Sequence, residues 1–111
     1  MAVKVLIKRK VPKDKEAELV KLITQLRSLA TMQPGYISGE TLRNVDNREE
    51  YLVISLWQNA DDWKLWESSK ERARIQAEID AVLGENTRYE VYCFPEKSTV
   101  TLSGFRGWEG G

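Results

Sequence analysis

A strand that is apolar on both faces needs cover on both sides, and residues 51–58 form such a strand. Leu52, Ile54 and Leu56 fall on one side, and Tyr51, Val53 and Trp57 on the other, because successive side chains of an extended chain point to opposite faces. Burying one large apolar side chain is worth about 2–3 kcal/mol, so an uncovered face is a standing liability. Residues 3–9 alternate in the same way, with Val3, Val5 and Ile7 opposite Lys4, Leu6 and Lys8. Pro12 and Asp14 punctuate that strand, and a helix follows to about Thr31 with Leu19, Leu22, Ile23, Leu26, Leu29 and Ala30 at helical spacing. Gln33-Pro34-Gly35 stops it. Residues 36–45 and 51–58 then form a hairpin about the turn Asp46-Asn47-Arg48-Glu49.

Asn59 is suited to capping the next helix, with Asp61 and Asp62 favourable against its positive end. That helix runs to about Leu83 and stops at Gly84, and residues 88–95 alternate again. The order is βαββαβ, predicting an α+β, ferredoxin-like fold with an antiparallel sheet. Along the second helix, Trp63, Trp66, Ala73 and Ala77 cluster on one side while Ile75, Ile79, Val82 and Leu83 cluster nearly opposite. Either the helix breaks or kinks near residues 68–72, or one stripe meets a partner. Two helices cover only one face of a four-stranded sheet, so the economical cover for the other is a second copy, sheet against sheet. A homodimer is the expectation. The domain is expected over residues 1–95, with 96–111 a C-terminal tail in which residues 99–102 add a strand to a partner's sheet edge or stay a loose terminus.

Composition removes many chemistries. The 111 residues suffice for one domain, and Lys+Arg and Asp+Glu are both 17. That balance lacks the bulk attraction used by nucleic-acid binders, and no apolar run is long enough to span a bilayer. With His 0 there is no imidazole base, Ser–His or Cys–His nucleophile, or proximal histidine for haem. One cysteine, Cys93, makes no internal disulfide, suits a reducing cytoplasm, and is expected to be a small buried hydrophobe. No metal and no cofactor are called for.

The run SLWQNADDWKLWESSKER over residues 55–72 has a strand ending in Trp57, an acidic helix start, Trp66-x-x-Ser69 and a nearby Arg72. With the first strand and helix, and Pro34-Gly35-Tyr36 opening the second strand, it resembles the antibiotic biosynthesis monooxygenase (ABM) family over about residues 2–95. The resemblance implies a dimeric α/β barrel. It also implies oxidation of a small quinol or polyphenolic aromatic by O₂ without an added cofactor. In the quinol-type members an Asn and a Trp four residues later contribute to the pocket. Trp66 matches the Trp, whereas Asp62 stands at the Asn position. The haem-degrading branch uses a histidine that is absent here.

Such chemistry needs an apolar pocket, a group that removes the substrate proton, and donors for the developing anion. Asp62, Trp66 and Arg72 are the candidate catalytic residues: Asp62 as a base towards a phenolic hydroxyl, Arg72 for a phenolate or superoxide. Trp57, Trp63, Tyr36 and Tyr51 are the candidate substrate-binding residues. Each also has a plainer role, as core, as helix-to-sheet anchor, as dipole complement for Asp62, or as an ion-pair partner of Glu67 or Glu71 for Arg72. The competing function is a non-catalytic dimeric small-molecule binding or stress-associated module. An RNA-recognition domain shares βαββαβ, but residues 3–9 carry no aromatic and residues 51–58 no Lys or Arg. The expected partners are therefore a second copy and a small aromatic, not nucleic acid or membrane, and the expected location is cytoplasmic.

Overall fold

Val3, Val5 and Ile7 are buried while Lys4 and Lys8 are exposed, so the alternation of the first segment makes strand β1 (Val3–Lys10) with one face inward. The computed structural model describes residues 1–95. A 3-10 turn at Lys13–Lys15 leads into α1 (Glu16–Ala30), and the chain continues through β2 (Tyr36–Arg43), β3 (Glu50–Trp57), α2 (Ala60–Glu67), α3 (Lys70–Leu83) and β4 (Arg88–Cys93). The strand order is β2-β3-β1-β4 with antiparallel neighbours, the ferredoxin-like arrangement. The expected tail strand at residues 99–102 lies outside the described residues.

The second helix is broken. Ser68 closes α2, its backbone N–H reaching the carbonyls of Lys64 and Trp66, and Ser69 caps α3 by accepting from the Arg72 N–H at 3.2 Å. The break resolves the two opposed stripes without a partner. Trp63 and Trp66 enter one core cluster with Val3, Val5, Ile7, Ala30 and Trp57. Ile75 and Ile79 enter the other, with Val11, Leu19 and Tyr51. Ala73 and Ala77, expected beside the tryptophans, are exposed instead, because the restarted helix turns that side to solvent. Leu26 and Leu29 of α1 pack against both clusters and join them.

The β2–β3 connection is longer than the expected four-residue turn. It spans residues 44–49 and is folded by Asn44, whose Oδ1 accepts from the backbone N–H of Asp46 (2.7 Å) and Asn47 (3.2 Å). β2 also carries a bulge: Tyr36 pairs with Trp57, but Ser38 already pairs with Leu56. Two residues there oppose one, which swaps the faces of everything on either side. Tyr36 therefore shares the helix-covered face with Gly39, Thr41 and Arg43, although simple alternation would put it on the opposite face.

On the face without helices, cross-strand pairing aligns Leu42, Leu52 and Lys8, then Glu40, Ile54 and Leu6, then Ser38, Leu56, Lys4 and Tyr92. Leu6, Leu52, Ile54 and Leu56 are half-buried, and Leu42, Tyr92 and Phe94 are exposed. Cys93, expected buried, is exposed on the outermost strand β4.

Gly35 joins α1 to the sheet with φ +86, and its carbonyl accepts from the Gln58 N–H at 2.7 Å. A Cβ there would lie 2.1 Å from Asp62 Oδ2. Gly35→Ala meets both a left-handed backbone and a side-chain collision. It is expected to cost about 1–3 kcal/mol, read as a lowered midpoint in urea denaturation.

Candidate functional site

Between the helices and the covered sheet face lies a cavity of about 60 Å³. Its sheet wall is Ile7, Val53, Ser55 and Trp57, and α1 contributes Ile23, Leu26 and Ala30. Its aromatic side is a continuous edge-to-face series across the sheet. Tyr36 meets Trp57 at 5.4 Å between ring centroids, Trp57 meets Trp63 at 5.7 Å, and Trp63 meets Tyr89 at 5.6 Å. Such pairs add about 0.5–1.5 kcal/mol each beyond area burial. Trp66, 4% exposed, completes the lining from α2. The Trp57 indole N–H donates to Ser55 Oγ at 3.1 Å.

Tyr36 reaches this lining through two local departures from regular geometry. The bulge turns its ring inward, and Gly39 leaves room for its hydroxyl: a Cβ at residue 39 would stand 2.4 Å from Tyr36 Oη. Alanine at that position collides with the hydroxyl and displaces the ring from the cavity wall.

The polar end is built from two arginines. Arg72 is 6% exposed; its Nη1 donates to the Glu67 carbonyl at 2.9 Å, and its guanidinium stands 4.6 Å from the Tyr89 ring centre and 5.8 Å from that of Trp63. Arg9, 4% exposed, donates to Gln76 Oε1 at 3.5 Å, and that oxygen also accepts from the Tyr89 hydroxyl at 3.0 Å. Gln76 is fixed in turn: its Nε2 donates to Asp80 Oδ1 at 2.9 Å and to Thr87 Oγ1 at 2.6 Å. Arg9 Nε and Arg72 Nη2 are buried without an acceptor among the described residues. Burial pushes the Arg9 guanidinium down to about 10, with Arg72 adding to the shift and Asp80 opposing it. Burial also lowers Arg72, against Glu67 and Asp80. Two cations with spare donors in one apolar cavity form a site for an anion or a developing negative charge.

Tyr36, Trp57, Trp63, Trp66 and Arg72 thus converge on one cavity. Asp62 and Tyr51 do not line it. Asp62 sits in the first turn of α2, its backbone N–H bonded to Asn59 Oδ1 at 2.8 Å and its carboxylate against Gly35. Tyr51 belongs to the other core cluster, where its hydroxyl accepts from Arg43 and donates to Glu16 Oε2 at 2.6 Å. That bond holds the Glu16 carboxyl below its ordinary range. Arg9, Arg27, Gln76 and Gly39 are cavity residues that the sequence pattern did not single out. The one available signal was Arg9 at an inward position of the β1 alternation. Among the described residues, no cluster of three His, Cys, Asp or Glu side chains is placed to hold a metal ion. No helix among them is long and apolar enough to cross a membrane.

The folded state holds the Arg9 proton less firmly than the unfolded chain, so Arg9 carries a stability penalty that is constant below about pH 10 and lifts only above it. Replacing a buried charge by an apolar side chain of similar length is often neutral or stabilising by about 1–4 kcal/mol. Arg9→Met is accordingly expected to leave the urea midpoint unchanged or raised. A fall of more than about 1 kcal/mol would mark Arg9 as structural cement and not as a ligand group.

Residues 2–78 match the family model for antibiotic biosynthesis monooxygenase. No curated protein matches the chain. Among solved structures, a conserved protein from Methanosarcina mazei Go1 superposes with a TM-score of 0.76 at 20% identity, over 83% of this chain and 91% of that one. A Mycobacterium tuberculosis protein gives 0.75 at 13% identity, over 89% and 100%. A variant of SnoaB, a cofactor-independent oxygenase from Streptomyces nogalater, gives 0.71 at 18% identity, over 89% and 96%. At these identities the likeness is one of fold.

Proposed function

Because the chain belongs to the antibiotic biosynthesis monooxygenase family, we propose that it oxidises a small quinol or polyphenolic aromatic with O₂, without an added cofactor, in the cavity beneath α2 and α3. The observation that carries this is the pairing of an aromatic lining with two buried arginines, each with one N–H group that has no acceptor among the described residues. A phenol ionises near pH 10 in water, and an adjacent guanidinium favours its anion. Arg72 holds the phenolate, Trp57, Trp63 and Trp66 exclude water and position the ring, and Tyr36 borders its sheet side. Among the described residues no carboxylate lines the cavity, so the proton leaves to bulk solvent as the substrate enters and not to Asp62. The electron-rich phenolate passes an electron to O₂, and the resulting superoxide and ring radical join at a ring carbon. Loss of water leaves one oxygen atom on the ring. The sum is quinol plus O₂ giving hydroxyquinone plus water, with the substrate as its own reductant.

Oxygen uptake across a panel of hydroquinones and dihydroxynaphthalenes tests this. Uptake above autoxidation is expected, falling about 10²-fold in Arg72→Gln, as for loss of an oxyanion donor, and less in Trp66→Phe. Asp62→Ala is expected to change it by less than about threefold, since that carboxylate does not reach the cavity. Uptake at background in folded protein would sink the oxygenase and leave the alternative, a non-catalytic binding module, which the lack of a general base in the cavity favours.

The uncovered sheet face supports a second part of the proposal, a homodimer with Leu6, Leu42, Leu52, Ile54, Leu56 and Tyr92 packed between two sheets. Sedimentation is expected to give twice the chain mass for the natural protein. Ile54→Lys, which places an unpaired charge at the centre of that face, is expected to give a folded monomer.

A further inference from the structure

The cavity alone, about 60 Å³, takes only the phenolic edge of the substrate assigned to it, since one benzene occupies an apolar cavity of about 150 Å³. Beside it, between α1 and β2, is a groove of about 240 Å³ lined by Val20, Ile23, Thr24, Arg27, Thr41 and Tyr51. Ile23 and Arg27 line both spaces, so their side chains are the partition. The partition is held by one exposed bond, Arg27 Nη2 to Thr41 Oγ1. Arg27 makes no ion pair among the described residues. The neighbouring link between the same two elements, Glu16 to Arg43 and Tyr51, is by contrast three-membered and fixes one end of the groove.

We propose that this groove is the entrance and outer half of the ligand site, and that Arg27 is both its gate and the group that binds a carboxylate at the far end of an aromatic ligand. An exposed hydrogen bond exchanges with water at little net cost, and exposed side chains change rotamer in picoseconds to nanoseconds. Swinging Arg27 off Thr41 therefore opens its part of the partition, beside Ile23, without moving backbone. Among the described residues, Arg27 is the only charged one lining the groove. The ligand part that lies there is consequently apolar with an anionic tip, while its phenolic end faces Arg72 inside. This rests on the proposed use of the inner cavity by a phenolic ring and adds the substrate class, a hydroxylated aromatic acid with its two polar ends opposed.

Equilibrium titration with 6-hydroxy-2-naphthoate and 2-naphthol, neither of which needs to turn over, tests it. The natural protein is expected to prefer the naphthoate by about tenfold, the scale of one charge-assisted hydrogen bond. In Arg27→Ala that preference is expected to fall to within about twofold with 2-naphthol affinity retained. In Thr41→Val, which removes only the latch, both ligands are expected to associate faster with the preference kept. A preference that survives Arg27→Ala overturns the gate and its carboxylate site alone, assigning the anion to Arg9 and Arg72. Failure of either ligand to bind the natural protein overturns the inner aromatic site as well, and the proposed function with it.

Discussion

Everything on the helical side of the sheet depends on the interruption at Ser68–Ser69. In an unbroken helix Trp63 and Arg72 are nine residues, and hence about 180°, apart; here the guanidinium stands 5.8 Å from the Trp63 ring. The break sacrifices helical hydrogen bonds and replaces them locally. Ser68 Oγ donates to the Lys64 carbonyl at 2.9 Å, Ser69 Oγ accepts from Arg72 N–H at 3.2 Å, and Arg72 Nη1 takes the Glu67 carbonyl at 2.9 Å. Arg72 is thus part of the joint as well as part of the cavity. Its position follows from the same bonds that satisfy the ends of the two helices.

β2 shows the same economy on the sheet side. One extra residue at the bulge turns Tyr36 toward the helices, and the missing side chain at Gly39 receives its hydroxyl. Both are departures from regular strand geometry that weaken the ladder locally. Both are spent at one place, where the aromatic series begins. At the next turn Gly35 approaches Asp62, which ties the start of β2 to the start of α2.

The electrostatics run against stability. Arg9 and Arg72 are buried with unspent donors, and the nearest compensation for Arg9 is indirect, through Gln76 to Asp80. An all-apolar filling of the same space would be at least as stable. A cation pair of this kind makes physical sense where negative charge arrives or develops, and the Arg72 guanidinium lies against the Tyr89 and Trp63 rings. The open sheet face is a separate matter, since it lies on the opposite side of the sheet from the cavity.

Local pattern carried a large part of this molecule. Alternation in β1 and β3, the 3.6-residue stripe of α1, and the caps at Asn59 and Gly84 were all readable, because each is a short-range consequence of residue type. The conflict between two helical stripes was readable as a conflict, with the break as one of two answers. Five of seven candidate site residues meet at the cavity, since tryptophans and a basic residue near a helix start are conspicuous. Asp62 stands outside the cavity, Tyr51 lines the neighbouring groove, and Arg9 and Gln76 were passed over, for one physical reason: which polar side chain reaches which space is set by register, a bulge and a helix restart, and these are settled by contacts between segments distant in the chain. The sequence alone determined the elements, their order and the family. Only the tertiary structure decided that α2 and α3 part at Ser68–Ser69, that Tyr36 turns inward, and that two arginines end in one cavity, each with a donor unmatched among the described residues, because each outcome is a compromise among packing partners that no local window contains.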